Sequence, residues 1–182
     1  MNDRQAPDLV VPVSTADHIQ GRADAPVTLV EYGDYQCPAC GMAYPELKRI
    51  QRQFGSDLRF VFRNFPLGEA HPLARPAAEV AEAAALQRQF WPMHDWLYEN
   101  QEEWSAYGAE GLEAGLRAVG IDEAAAARAI LKPDIDQRIR ADFMGGVRSG
   151  VNGTPGFFLN GYRHDGDFRS LASLIARLVE RA

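Results

Sequence analysis

Cysteine is nearly missing from this chain, which carries two, Cys37 and Cys40. Two cysteines cannot build a disulfide framework and also leave a reactive thiol. A bridge between residues this close gains little chain entropy, which argues against a stabilising role. Histidine is scarce as well. His18, His71, His94 and His164 stand singly, with no H-x3-5-H pair to complete the four-ligand zinc site that two thiolates could begin. There is no excess of positive charge: 19 Lys and Arg face 25 Asp and Glu, for a net charge of −6. The basic residues are dispersed, so a nucleic-acid partner, which needs a concentrated basic face, is not expected. No apolar run approaches the ~20 residues that span a bilayer, so membrane insertion is not expected either. Met1 to Val13 has neither the apolar core nor the small-residue cleavage site of a leader. The expected location is therefore cytoplasmic, with the periplasm as the alternative if a leader was trimmed. Internal repeats and low-complexity tracts are also lacking.

What remains is an ordinary globular composition, 46% apolar and 24% charged in 182 residues, enough for one domain or one domain with a sizeable insertion. Residues 1–25 read as an N-terminal arm, with Val10 to Val13 as a candidate edge strand. Val27 to Tyr32 is a run of β-formers, apolar on both faces except at Glu31, which suits a buried central strand. From Pro38 to Phe54 the residues Cys40, Ala43, Tyr44, Leu47, Ile50 and Phe54 recur every three or four positions, so a helix buries one face and ends at Gly55. Leu58 to Phe62 reads as a second strand. Strand, helix and strand in this order make a right-handed crossover with the strands parallel.

Residues 66–149 change character: alanine-rich, without a convincing strand, and divisible into helices. Pro76 suits the first turn of one helix running to about Phe90, and Pro92 starts another that passes through Trp96 and Leu97. Gly120 and Asp122 mark a stop and a restart. Ile135, Ile139, Phe143 and Val147 form a four-residue stripe. After Gly150, Gly156 to Asn160 is a strand, joined through the hairpin dipeptide Asn160-Gly161 to a second. Asp167 caps a final helix that buries Phe168, Leu171, Leu174, Ile175 and Leu178.

Cys37-Pro38-Ala39-Cys40 places two thiols one turn apart at a helix start, where a disulfide forms and breaks with little backbone motion. Orphan amides and the positive helix end favour a thiolate at Cys37, the outer and exposed thiol. Cys37 is thus the candidate nucleophile and Cys40, facing inward, the resolving thiol. Half of a zinc site and an inert buried pair are the competing readings of the spacing.

The stretch Glu31-Tyr-Gly-Asp-Tyr-Gln-Cys-Pro-Ala-Cys40 resembles the active-site entry of DsbA-like proteins of the thioredoxin superfamily. So do Phe65-Pro66-Leu67, Phe90-Trp91 with His94-Asp95, and Gly150-Val-Asn-Gly-Thr-Pro-Gly-Phe-Phe-Leu-Asn-Gly161, in order and spacing. The resemblance implies an α/β fold, a thioredoxin-like core of residues 26–65 and 150–182 interrupted by a helical insertion domain at 66–149. It also implies a cis Thr154-Pro155 bond beside the cysteines. Thr154 and Pro155, with Pro38 and Ala39, would then contact substrate, the Thr154 backbone pairing with an extended chain. Glu31 takes the place of a buried acid that handles the proton of the inner thiol; the alternative is a solvent-exposed strand-end Glu. Ala39 departs from the strongest oxidants of the family, which place a histidine between the cysteines.

The implied activity is disulfide exchange with protein or peptide thiols, recycled by a redox partner or glutathione. No metal or organic cofactor is expected beyond the redox-active disulfide Cys37-Cys40. A glutathione-dependent transferase or isomerase on the same scaffold and a non-enzymatic metal-binding module are the competing functions. Trp91, Trp96 and His94 read as core rather than cleft lining, and Arg148 and Arg163 as surface charges.

Overall fold

The computed structural model describes residues 7–182; the first six residues of the expected arm lie outside the described residues. At the centre is β2 (Val27–Gly33), buried at every position. It pairs in parallel with β3 (Leu58–Asn64), Leu29 opposite Phe60 and Glu31 opposite Phe62, and α1 (Pro38–Phe54) supplies the crossover. Proline suits the first position of α1, whose amide would be unpaired anyway. On the other side of β2 lies the antiparallel β4 (Gly156–Leu159), followed by β5 (Tyr162–His164). Asn160 (φ 49°) and Gly161 (φ 87°) both take the left-handed backbone that a tight two-residue hairpin turn requires.

The edge strand on the β3 side is β1 (His18–Gln20), giving the order β1-β3-β2-β4-β5. The expectation of that strand at Val10 to Val13 is not met. Pro12 has no amide to donate to a ladder, and the segment's carbonyls are taken by a side chain: Arg63 donates to Val11 O (2.8 Å) and Pro12 O (3.1 Å). The same guanidinium pairs with Asp17 (2.8 Å) and reaches the Tyr32 hydroxyl (2.9 Å), so a buried cation fastens the arm to the sheet.

Helices α2 (Ala74–Ala85), α3 (Phe90–Glu99), α4 (Gln101–Tyr107), α5 (Ala109–Val119), α6 (Glu123–Ile130) and α7 (Pro133–Arg148) follow β3 without an intervening strand. Where one helix was expected to run to Phe90, α2 stops at Ala85. Arg88 enters the left-handed region (φ 61°), and Phe90 begins the next helix. Gly120 closes α5 in the left-handed conformation, and Asp122 opens α6 by accepting from the Ala125 amide (2.9 Å). The α7 stripe holds for Ile135, Ile139 and Phe143, which stacks on Phe65, and fails at Val147, which is exposed. Each four-residue step overshoots a full helical turn by about 40°, so the stripe drifts off the face. Gly145 and Gly146 take over the contact with Tyr32 and Phe65. Asp167 caps a short 3₁₀ turn, Phe168–Ser170, that leads into α8 (Leu171–Val179).

The two sheet faces bury different sets. Val27, Leu29, Phe60, Phe62 and Phe157 lie with α1, α3 and α8; Val30, Tyr32, Val61 and Phe158 lie with Phe65, Phe143 and the arm. Alternation along β2 therefore turns Glu31 and Gly33 toward the face that carries the cysteines.

Burial alone would raise the Asp17 carboxyl, but bonds from Arg63 and the Ser14 amide hold it below the ordinary carboxylate value. Removing one partner of such a pair strands the other charge, so Asp17→Ala should cost about 3 kcal/mol in urea unfolding near neutral pH. With a depressed folded-state pKa, the advantage of the parent protein is present above the unfolded carboxylate value and disappears as pH falls through the folded one. Equal urea midpoints at neutral pH would refute the fastening role.

Candidate active site

The site forms where β2 ends and α1 begins. Cys37 is the cap residue of α1 in extended backbone (φ −71°, ψ 122°), so the amides of the first turn converge on its sulfur. The Cys37 thiol, expected to be exposed, keeps 6% of its surface, while Cys40 keeps none. The insertion and the loop before β4 close over the pair. The Thr154–Pro155 bond of that loop is cis, and the Cys37 thiol donates to the Thr154 carbonyl at 3.4 Å.

Cys37 is held at about 5. The largest influence is hydrogen bonding from the Cys40 thiol, which outweighs the opposing effect of burial with help from the Thr154 side chain and the Cys40 and Ala39 amides. Cys40 moves the other way: burial, then its bond to Cys37 and the charges of Glu31 and Cys37, push its thiol well above the ordinary value. The two sulfurs thus differ in the sense that makes the outer one nucleophilic at neutral pH.

Glu31 is 1% exposed, which excludes the solvent-facing reading, and neither carboxyl oxygen has a hydrogen-bond partner. Burial, reinforced by the Cys37 charge, raises it to about 8. A carboxyl in this range is protonated or not according to the charge on its neighbours near pH 7, the property needed to pass a proton to or from a thiol. Pro38 is exposed and Ala39 half-buried beside Cys37, so the structure gathers Cys37, Pro38, Ala39, Cys40, Glu31, Thr154 and Pro155 at one end of the sheet.

His94 lies in the core, and Trp91 and Trp96 are partly buried and pack against it. His94 is 3% exposed, burial holds it well below the usual imidazole value, and its Nδ1 meets the Tyr35 hydroxyl at 3.1 Å. Trp91 packs on Phe60 and Phe90. Arg148 is exposed, but Arg163 is not a free surface charge. It donates to the Gly150 carbonyl and pairs with Asp165 (2.6 Å), bracing the loop that carries Pro155.

Sequence reasoning missed the groups that shape the cysteine turn. Asp34 is buried; its Oδ1 accepts from the Gln36 amide (2.8 Å), its Oδ2 from the Leu67 amide (3.0 Å) and meets His71 Nδ1 (2.7 Å), and its carbonyl accepts from the Cys37 amide (3.1 Å). Gln101, first residue of α4, donates to the carbonyls of Tyr35 (2.7 Å) and Cys37 (2.9 Å). Asp34 lay within the recognised stretch and offered a signal, a buried-strand end followed by a turn. Gln101 offered none.

A family model described as Thioredoxin matches residues 14–176. A protein of Salinispora arenicola named Na(+)/H(+) antiporter NhaA 1 is 42% identical over 162 residues, covering 88% of this chain. The chain spans only 24% of that relative's length. Among solved structures, a thioredoxin-like oxidoreductase from Silicibacter pomeroyi is 26% identical with a TM-score of 0.76, covering 93% of this chain and 95% of the other. Wolbachia pipientis alpha-DsbA1 shares the fold at 20% identity with a TM-score of 0.79, covering 96% of each chain.

The two shifts have opposite consequences for stability. The folded value of Glu31, about 8, lies above the ordinary 4.5, so its contribution declines as pH rises between them. The folded value of Cys37, about 5, lies below the ordinary 9.0, so its contribution grows as pH rises between them. In the reduced protein they oppose each other. Glu31→Gln removes the first and should leave reduced protein whose stability rises by up to ~1.4 kcal/mol per pH unit between about pH 5 and 8. Urea midpoints at acidic and neutral pH read this directly, and identical pH dependence in parent and variant would contradict the buried-acid assignment.

Proposed function

This chain belongs to the thioredoxin family, and on that premise we propose that it is a DsbA-like thiol-disulfide oxidoreductase that exchanges disulfides with protein or peptide thiols through the Cys37–Cys40 pair. The observation that carries the reading is the placement of two cysteines one turn apart at the head of α1, the outer sulfur 3.4 Å from the carbonyl that precedes the cis proline and the inner one buried beneath it, an arrangement in which Cys37 is drawn down to about 5 and Cys40 driven up. In the reducing direction the Cys37 thiolate attacks a client disulfide to form a mixed disulfide, and Cys40 releases it. In the oxidising direction a client thiolate attacks Cys37, and Cys40 leaves. Thr154 and Pro155 present the client, whose backbone lies along the Thr154 segment as an added strand, while Pro38 and Ala39 form the floor beneath its sulfur. Glu31 exchanges the Cys40 proton.

When the Cys37 thiol ionises, it ceases to be a donor to the Thr154 carbonyl. The buried Thr154 hydroxyl, which has no other partner, is then free to donate to the thiolate. Holding the thiolate stabilises the reduced pair and favours oxidation of clients. Ala39 supplies no imidazole to add to this, so the direction follows from the redox potential of the pair, which equilibration in glutathione buffers reads.

A glutathione transferase or isomerase would make no use of Cys40, which argues for exchange. Ion transport, named for the much longer relatives, requires membrane-spanning helices. Among the described residues no helix is long and apolar enough to cross a membrane, and we assign the chain the thiol chemistry of its own site.

Cys40→Ser should accumulate mixed disulfides with client proteins and Cys37→Ser none, read by non-reducing gels. In the parent protein, iodoacetamide should modify Cys37 with a midpoint near pH 5 while Cys40 stays unreactive to far higher pH. Equal trapping by both variants, or by neither, would remove the assigned roles.

A further inference from the structure

One buried ionisable side chain near the cysteines has no part in the chemistry above. Tyr98, on α3, is 6% exposed and its hydroxyl has no hydrogen-bond partner. Its ring packs between Tyr35 and Tyr44 (5.1 and 5.3 Å between centroids) and against His94. The hydroxyl lies over Gly33: a Cβ placed there would stand 2.9 Å from the phenol oxygen. Gly33 and Glu31 are successive residues on one face of β2, so the phenol oxygen, together with the Phe62 ring, fills the volume of the missing side chain next in line to the carboxyl.

Burial, then the charges of Cys40 and Glu31, push the Tyr98 phenol well above its ordinary value, so it remains a proton donor. The ladder neighbours of Glu31, Phe62 and Phe157, offer nothing polar. The other groups facing it are Cys37 and Cys40 from α1 and Tyr35 from the turn. The Tyr35 hydroxyl is engaged with His94. Three buried oxygens without partners, two on Glu31 and one on Tyr98 of α3, therefore stand at the same face of β2, a pattern native interiors rarely leave idle.

We propose that Tyr98 is a positioning residue of the buried proton-transfer site, its hydroxyl donating through one water to the Glu31 carboxylate that takes the proton of Cys40. This rests on the exchange reading above. The proton leaves Cys40 sulfur for Glu31, and the Cys40 thiolate attacks Cys37 sulfur of the mixed disulfide. The Cys37–Cys40 bond forms as the Cys37–client bond breaks, and the electron pair departs on the client sulfur.

The test uses reduced full-length protein mixed rapidly with glutathione disulfide from pH 5 to 9, resolving mixed-disulfide formation at Cys37 from its release by Cys40. Tyr98→Phe removes only the hydroxyl. The first phase and its midpoint near pH 5 should be unchanged. Release at pH 7 should slow about tenfold, the worth of one hydrogen bond to a charged group, with its pH midpoint displaced upward. In a Glu31→Gln background, Tyr98→Phe should change release no further. A release profile matching the parent, an equal slowing of both phases, or an undiminished effect in the Glu31→Gln background would each overturn the proposal. A parent protein that forms no mixed disulfide would instead overturn the exchange reading itself, and this inference with it.

Discussion

Two groups able to carry negative charge, the Cys37 thiol and the Glu31 carboxyl, share one dry volume beneath the first turn of α1. Each makes the other's charge costly. The helix end settles the competition, because its converging amides and the Cys40 thiol serve the sulfur, while the carboxyl has no direct hydrogen-bond partner. The rest of the site is arranged around that asymmetry: a nucleophile at the rim, a protonated thiol behind it and an acid poised to trade a proton. Were Glu31 solvated or paired with a cation, the carboxyl would stay ionised and would no longer be an acceptor whose proton affinity changes with the redox state of the pair.

The parts of the fold legible in the sequence are those fixed by local repetition. Val27–Gly33 and Pro38–Phe54 declare themselves through runs and periods, and Asn160-Gly161 through two residues suited to left-handed backbone. The spacing of Cys37 and Cys40 marks the reactive turn for the same reason. What periodicity does not encode is which distant group satisfies a buried polar atom. The Arg63 guanidinium draws in the arm from some 50 positions away and displaces the edge strand to His18–Gln20. Asp34, Gln101 and Tyr98 act across comparable separations, and each reads in isolation as an ordinary turn, helix-start or aromatic core residue.

The helical segment does more than enlarge the core. Its α2 and α7 send Glu82 and Asp142 to Asn64 at the end of β3, and Glu82 also holds His18 of β1 (2.9 Å), whose ring stacks on Phe90. Its α3 lays His94, Tyr98 and Trp91 over Phe60, Phe62 and Tyr35. The dryness that raises Glu31 is thus produced jointly by the sheet and by helices far from it in sequence.

Gln101 shows how tight this dependence is. One side-chain amide at the head of α4 holds both peptide carbonyls that flank the approach to the outer sulfur. The helical layer and the cysteine turn therefore behave as one mechanical body. Any load that tilts the layer is delivered to the reactive turn as a change in posture, and a shortened chain keeping the motif without those helices would retain its letters and lose its stance.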